Sequence, residues 1–179
     1  MKRILSTAAV VLVAFLMGCG KDNPVKPMQP GPKYLPSSTP LNVLYNLQRA
    51  YTSRDSTGYD SLFAADYTGS STDQSDNSQL TFSKSDEALH IQFLANQASI
   101  TSIDLQFPPG LVRYTDLGDP PGWATVSTAS MHLEINTSAT SYAIYPNETI
   151  DFKFRPTMPS PGSPTDTTWH IVRWLELAP

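Results

Sequence analysis

A single cysteine, Cys19, stands just past an apolar run at residues 4–17, and no second cysteine follows it. An intrachain disulfide is therefore ruled out, and any folded domain must hold itself together through its apolar core. Residues 41–179 are long enough to build one such core. The run itself follows a basic start, Met1-Lys2-Arg3, and is broken only by Ser6 and Thr7. A helix that crosses hydrocarbon needs about 20 apolar residues. This run is shorter and has the make-up of a signal-peptide core.

Leu16-Met17-Gly18-Cys19 resembles the lipobox of bacterial lipoproteins. In that family the cysteine sulfur takes up a diacylglyceryl group, and the peptidase cuts just ahead of the cysteine, after a small residue, here Gly18. The resemblance implies a lipoprotein signal peptide over residues 1–18 and lipid attachment at Cys19. The alternative is an ordinary secretory signal with a chance cysteine, but the small-x-small cleavage pattern is missing around Gly18. Two or more acyl chains anchor a protein stably. The expected location is the bacterial cell envelope, held to membrane through lipidated Cys19. Gly20 stands where an aspartate often signals inner-membrane retention, which favours the outer membrane.

Residues 19–40 read as the lipidated cysteine and a proline-rich linker. Pro24, Pro27, Pro30, Pro32, Pro36 and Pro40 punctuate it, and it has too few apolar residues to offset its ordering entropy. Proline biases such a segment toward an extended spacer. The chain carries a net charge of −4. From residue 41 onward acidic side chains outnumber basic ones about two to one, which argues against nucleic acid, whose partners carry a basic stripe.

The domain opens with helices. Thr39 is a helix cap, Pro40 suits the first helical position, and Leu44, Leu47 and Tyr51 recur at helical spacing to about Arg54. A short second helix is expected after Asp55, turning Tyr59, Leu62 and Phe63 inward. Residues 68–78 read as strand edge and loop. A third helix begins at Ser83, where Asp86 completes a capping box, Asp86 and Glu87 suit the positive end of the helix dipole, and the expected inward stripe is Leu89 and Phe93, with Leu94 adjacent. Strands follow. Ile103, Leu105 and Phe107 alternate with polar residues. Residues 123–136 read as one strand alternating through Ala129, Met131, Leu133 and Ile135. Residues 137–140 turn the chain. Ile150, Phe152 and Phe154 then alternate with Asp151, Lys153 and Arg155, giving one apolar and one charged face. In the last strand Trp169, Ile171, Val172 and Trp174 break the alternation, so both faces are covered or a bulge intervenes. The expected class is α+β: three N-terminal helices packed on a curved antiparallel sheet of about four to five strands.

Arg54-Asp55, Leu62-Phe63 and Asp66-Tyr67, with Trp169, Ile171 and Trp174 at the far end, resemble the corner, exit and closing strand of nuclear transport factor 2-like (SnoaL-like) domains. The resemblance covers roughly residues 39–178. It implies a cone-shaped half-barrel with a pocket between helices and sheet. The family holds isomerases, dehydratases, cyclases and modules that only bind or dimerise, so fold alone does not deliver function. Dimers through the sheet are common there, which makes a homodimer one expectation.

No catalytic constellation is legible. Asp66 and Tyr67 are adjacent in a strand and point to opposite faces. His90 is the one weak catalytic candidate, because some dehydratases of this fold use a histidine base. A base also needs a partner that orients its ring. The blander reading is a boundary histidine bonded to backbone or water. His132 points away from the core, and the three histidines lack the spacing of a zinc site, so no metal and no cofactor are expected. Gly58, Gly69, Gly110 and Gly122 read as isolated turn residues. The candidate pocket lining is Phe63, Tyr67, His90, Phe93, Met131, Leu133, Phe152, Phe154 and Trp174, although most of these aromatics suit an ordinary core. Three functions follow as expectations. The first is a lipid-anchored domain, without catalysis, that binds a small apolar ligand or an envelope protein. The second is an isomerase- or dehydratase-type enzyme working in the cone with His90 as base. The third is a structural envelope protein docking through its sheet, against which the charged Asp151/Lys153/Arg155 face counts.

Overall fold

In the computed structural model, residues 33–73, 78–129, 131–144, 149–157 and 167–177 are described. Cys19, the expected signal peptide and most of the expected linker lie outside them. Helix α1 spans Pro40–Thr52. Thr39 is extended at its start, and its side chain accepts from the Asn42 amide. Helix α2 is a single turn, Ser56–Asp60, capped by Asp55, whose carboxylate accepts from the Gly58 amide. Helix α3 spans Lys84–Asn96 behind a complete Ser83/Asp86 capping box.

Tyr34–Pro179 form one compact unit, which begins ahead of α1. The Asn46 side chain, fully buried, accepts from the Leu35 amide and donates to the Leu35 carbonyl. Tyr34 donates to Asp55 at 2.6 Å, and the Trp169 amide donates to the Ser37 carbonyl. These bonds fasten the stretch before α1 to the body.

The strands are β1 Phe63–Asp73, β2 Ser78–Ser83, β3 Ile100–Gln106, β4 Arg113–Tyr114, β5 Ala124–Thr128, β6 His132–Thr137, β7 Ser141–Ile144, β8 Thr149–Thr157 and β9 Thr168–Leu177. They form a six-stranded sheet, ordered β2-β1-β9-β8-β5-β4, and a three-stranded sheet, ordered β3-β6-β7. The class is α+β as expected, open and not closed into a barrel. The strands are more numerous than expected, and the β1–β9 pair is parallel, so the larger sheet is mixed. Residues 123–136 are not one strand: β5 belongs to the larger sheet and β6 to the smaller. The β1–β2 pair takes up most of the stretch that read as strand edge and loop, and β7 is a strand with no counterpart among the expected ones.

Alternation along β8 buries Ile150, Phe152 and Phe154. Its charged face is dressed by partners: Asp151 bonds Ser127, Lys153 meets Asp116 and Asp119, and Arg155 grips Asp66. In β9 the irregularity is a bulge. Lys153 pairs with Arg173 and the next residue, Phe154, pairs with Ile171, leaving Val172 as the extra residue. Ile171 and Val172 are consequently both buried. Helix α1 packs on β3, β5 and β9, and α3 packs on β1 and β2. The core lies between these layers.

One expectation is corrected on α3. Its buried residues are Ile91 and Leu94, while Leu89 and Phe93 are 65% and 60% exposed. Glu87, Ile91 and Leu94 are spaced four and three residues apart and share the inward face. A charged residue at the head of that stripe hides it from a reading of periodicity.

Candidate functional site

Four elements converge on one end of the core. The last turn of α1 brings Tyr51, α2 brings Tyr59, β1 brings Tyr67, and the first two turns of α3 bring Glu87 and His90. The three tyrosines are buried. Tyr51 and Tyr59 ring centroids lie 5.8 Å apart, and Phe63 sits 4.9 Å from Tyr59 and 4.7 Å from Tyr67.

The polar ends of these rings are paired. Tyr59 donates to Glu87 Oε2 at 2.8 Å, and Tyr67 donates to Glu87 Oε1 at 3.0 Å. The Tyr51 hydroxyl and His90 Nε2 are 2.7 Å apart, the imidazole tautomer deciding which one donates. Burial, and then the Glu87 charge, push all three phenols well above the usual tyrosine range. They are neutral hydroxyls at any physiological pH.

Gly69 makes this geometry possible. It lies within β1, two residues from Tyr67 on the same face, and not in a turn as expected. A Cβ there would fall 2.5 Å from the Tyr67 hydroxyl. The bare backbone lets the phenol lie back along the strand toward Glu87. Gly58 is likewise inside α2, against Tyr34. Gly110 and Gly122 do sit at positive φ.

These groups face a cavity of about 1020 Å³ between helices and sheets. Leu105, Met131, Leu133, Ile150 and Trp174 give it an apolar wall, and Phe82, Leu89, Asp86 and Glu176 also line it. Of the residues expected to line a pocket, Tyr67, His90, Met131, Leu133 and Trp174 lie on it. Phe63, Phe152 and Phe154 are buried in the core, where Phe152 packs 4.8 Å from the Trp174 ring. Phe93 faces solvent on the outer side of α3, away from the stripe that packs inward. The Trp174 Nε1–H is a buried donor with no partner among the described residues.

Sequence reasoning placed Tyr51 and Tyr59 in the core and Glu87 at the helix dipole, and so missed them as site residues. Only their three-dimensional convergence marks them. His90 Nε2 is bonded to the Tyr51 phenol. Asp66, opposite Tyr67, is gripped by both arms of Arg155 at 2.7 and 2.8 Å, which hold its carboxyl below the usual range. His132 lies 3.7 Å from Glu134, and His170 Nδ1 lies 3.2 Å from the Thr157 hydroxyl. Burial, with Lys84 and Arg155 nearby, lowers the His170 pKa. No described helix is long and apolar enough to cross a membrane. Among the described residues no three His, Cys, Asp or Glu side chains gather closely enough to hold a metal ion.

No protein-family model and no curated protein matches the chain. Solved structures do. The Kfla4162 protein of Kribbella flavida aligns with TM-score 0.56 and 12% identity, over 76% of this chain and 86% of that one. A conserved protein of Planctomyces limnophilus DSM 3776 aligns with TM-score 0.52 and 15% identity, over 76% and 91%. A nuclear transport factor 2-like protein of unknown function from Pseudomonas putida KT2440 aligns at TM-score 0.48 and 13% identity, over 78% and 83%. Helices packed over an open mixed sheet, with a cavity between them, match the cone-shaped fold that the sequence resemblance implied. At such identities the likeness concerns fold alone.

Proposed function

We propose that this protein is a small-molecule-binding domain tethered to the bacterial cell envelope, with binding and not turnover as its task. The observation that carries the binding half is the cavity itself. An apolar wall formed by Leu105, Met131, Leu133 and Ile150 ends at a phenol–carboxylate–imidazole cluster. Such a pairing, a large apolar surface with a few convergent polar groups, is the usual design of a ligand site. The ligand's apolar body would lie on the wall and its polar group would reach Glu87 and His90. The tether rests on Leu16-Met17-Gly18-Cys19 alone. Its test is palmitate labelling of cells, in which Cys19→Ser should lose both label and membrane association.

A second reading rests on the 2.7 Å Tyr51–His90 contact, because an oriented imidazole is what a general base requires. Isomerase- or dehydratase-type chemistry builds negative charge on the substrate and needs donors aimed at it. Here the Tyr59 and Tyr67 protons are already given to Glu87, whose own charge opposes an anion. That balance favours binding. The deciding experiment is mass spectrometry of the full chain purified from its own envelope, before and after denaturation. A small molecule released on denaturation, and absent from Glu87→Ala, supports the binding reading. A chain that carries nothing at any stage counts against it.

A further inference from the structure

The sign of the charge around the cavity narrows the ligand further. This step rests on the binding reading above. Asp86, Glu87 and Glu176 line the cavity, and no lysine or arginine does so among the described residues. Among the described lining residues His90 is the only nitrogen base, and its Nε2 is engaged with Tyr51. Glu87 already receives two phenol protons, but a carboxylate offers about four lone-pair sites, so it retains acceptor capacity toward the cavity. The Tyr59 and Tyr67 oxygens, having donated their protons, present lone pairs. Glu87 with the Tyr59 and Tyr67 oxygens is therefore a set of acceptors under a negative field, while the Tyr51–His90 pair, which spends one of its two protons on their own bond, keeps one donor.

Among the described residues these carboxylates do not gather as a metal centre. Diffuse negative charge suits a large, weakly hydrated cation better than a compact metal ion, which demands several oxygens within bonding distance. The walls add a second, independent contribution. The rings of Trp174 and Phe82 line the cavity, and aromatic rings attract organic cations. Its volume of about 1020 Å³ leaves room for a substantial apolar body beside a cationic head.

We infer that the cavity takes an organic cation, an ammonium-type head on an apolar body, with Glu87 as its principal counter-charge and the aromatic wall as its cage. An anionic ligand would meet three like charges and no lysine or arginine among the described lining residues, and a neutral one would gain nothing from the charge of the carboxylates.

The test uses the full chain carrying Cys19→Ser and three probes that share one body: phenylbutyltrimethylammonium, phenylbutanol and phenylbutyrate. Isothermal titration should show one cation bound per chain, about tenfold tighter than the alcohol, with the carboxylate weakest. Glu87→Gln should remove about tenfold from the cation's affinity and change the alcohol's by less than about threefold. Glu176→Gln, which leaves the Tyr59 and Tyr67 bonds in place, should weaken the cation selectively as well. If the alcohol or the carboxylate binds as tightly as the cation, the inference falls and the binding reading stands. If none of the three binds, both fall.

Discussion

Replacing Glu87 with alanine removes the one acceptor shared by two buried phenols, and its cost can be worked from the bonds. Tyr59 and Tyr67 donate to opposite oxygens of that carboxylate at 2.8 and 3.0 Å. A hydrogen bond to a charged partner contributes roughly 1.5–3 kcal/mol, so the pair sums to about 3–6 kcal/mol. The cavity adjoins both hydroxyls, and water entering it recovers part of that loss. The expected destabilisation is about 2–4 kcal/mol. For a domain of this size each kcal/mol lowers the melting temperature by roughly 2–4 °C, so the variant should melt roughly 4–16 °C below the parent. Glu87→Gln keeps an acceptor for one phenol and forces the other to rotate, and should cost about 1 kcal/mol. Urea unfolding followed by tryptophan fluorescence, with far-ultraviolet circular dichroism as a second probe, measures all three proteins. A double-mutant cycle pairing Glu87→Ala with Tyr59→Phe should show a coupling above about 1 kcal/mol. If Glu87→Ala lies within about 0.5 kcal/mol of the parent, or the cycle shows no coupling, the network does not brace the domain and the reasoning fails.

Three further perturbations probe neighbouring features. Gly69→Ala drives a methyl into the Tyr67 hydroxyl and should break its bond to Glu87, costing about 1–3 kcal/mol by urea unfolding, whereas Gly118→Ala on an open turn should cost far less. Lys153 sits between Asp116 and Asp119, its side chain 14% exposed and that of Asp119 only 5%. Burial alone would lower the lysine pKa, but its bonds to Asp119 and Asp116 raise it. Lys153→Met should cost about 3 kcal/mol by stranding the buried Asp119 charge, and Lys153→Met combined with Asp119→Leu should recover part of it. Alkali gives the last. Tyr51, Tyr59 and Tyr67 have folded-state pKa values above their unfolded value of about 10, so their contribution is whole below that pH and is lost as pH rises toward the folded values. Denaturation titrations should show stability declining above about pH 10, less steeply in Tyr67→Phe.

The parts of this fold legible in the sequence are those written locally. Thr39-Pro40, Asp55 and Ser83 with Asp86 cap their helices through side chains three residues from the bonded amide, and the structure carries each cap. The break in alternation at Ile171-Val172 was equally local, and it is a bulge. What could not be read was decided by partners distant in the chain. Residues 123–136 look like one alternating strand, yet β5 finds β8 and β6 finds β3, and those choices split the run between two sheets. Helix α3 offers two apolar stripes, Leu89/Phe93 and Ile91/Leu94. The second packs inward because Glu87, at its head, is satisfied by tyrosines from α2 and β1. The same long-range pairing is why Glu87, Tyr51 and Tyr59 gave no sign of forming a site: each has an unremarkable local reading as dipole partner or core aromatic.

Chemical-shift mapping of a bound probe speaks most directly to whether the cone is a ligand site. The isotope-labelled full chain carrying Cys19→Ser would be titrated with phenylbutyltrimethylammonium while amide resonances are followed. The cavity site requires saturable shifts concentrated at Tyr51, Glu87, His90, Met131, Leu133 and Trp174, and their disappearance in Glu87→Ala. Shifts that never saturate, or that gather instead on the exposed Val112 and Leu117 of the β3–β5 connection, would contradict it.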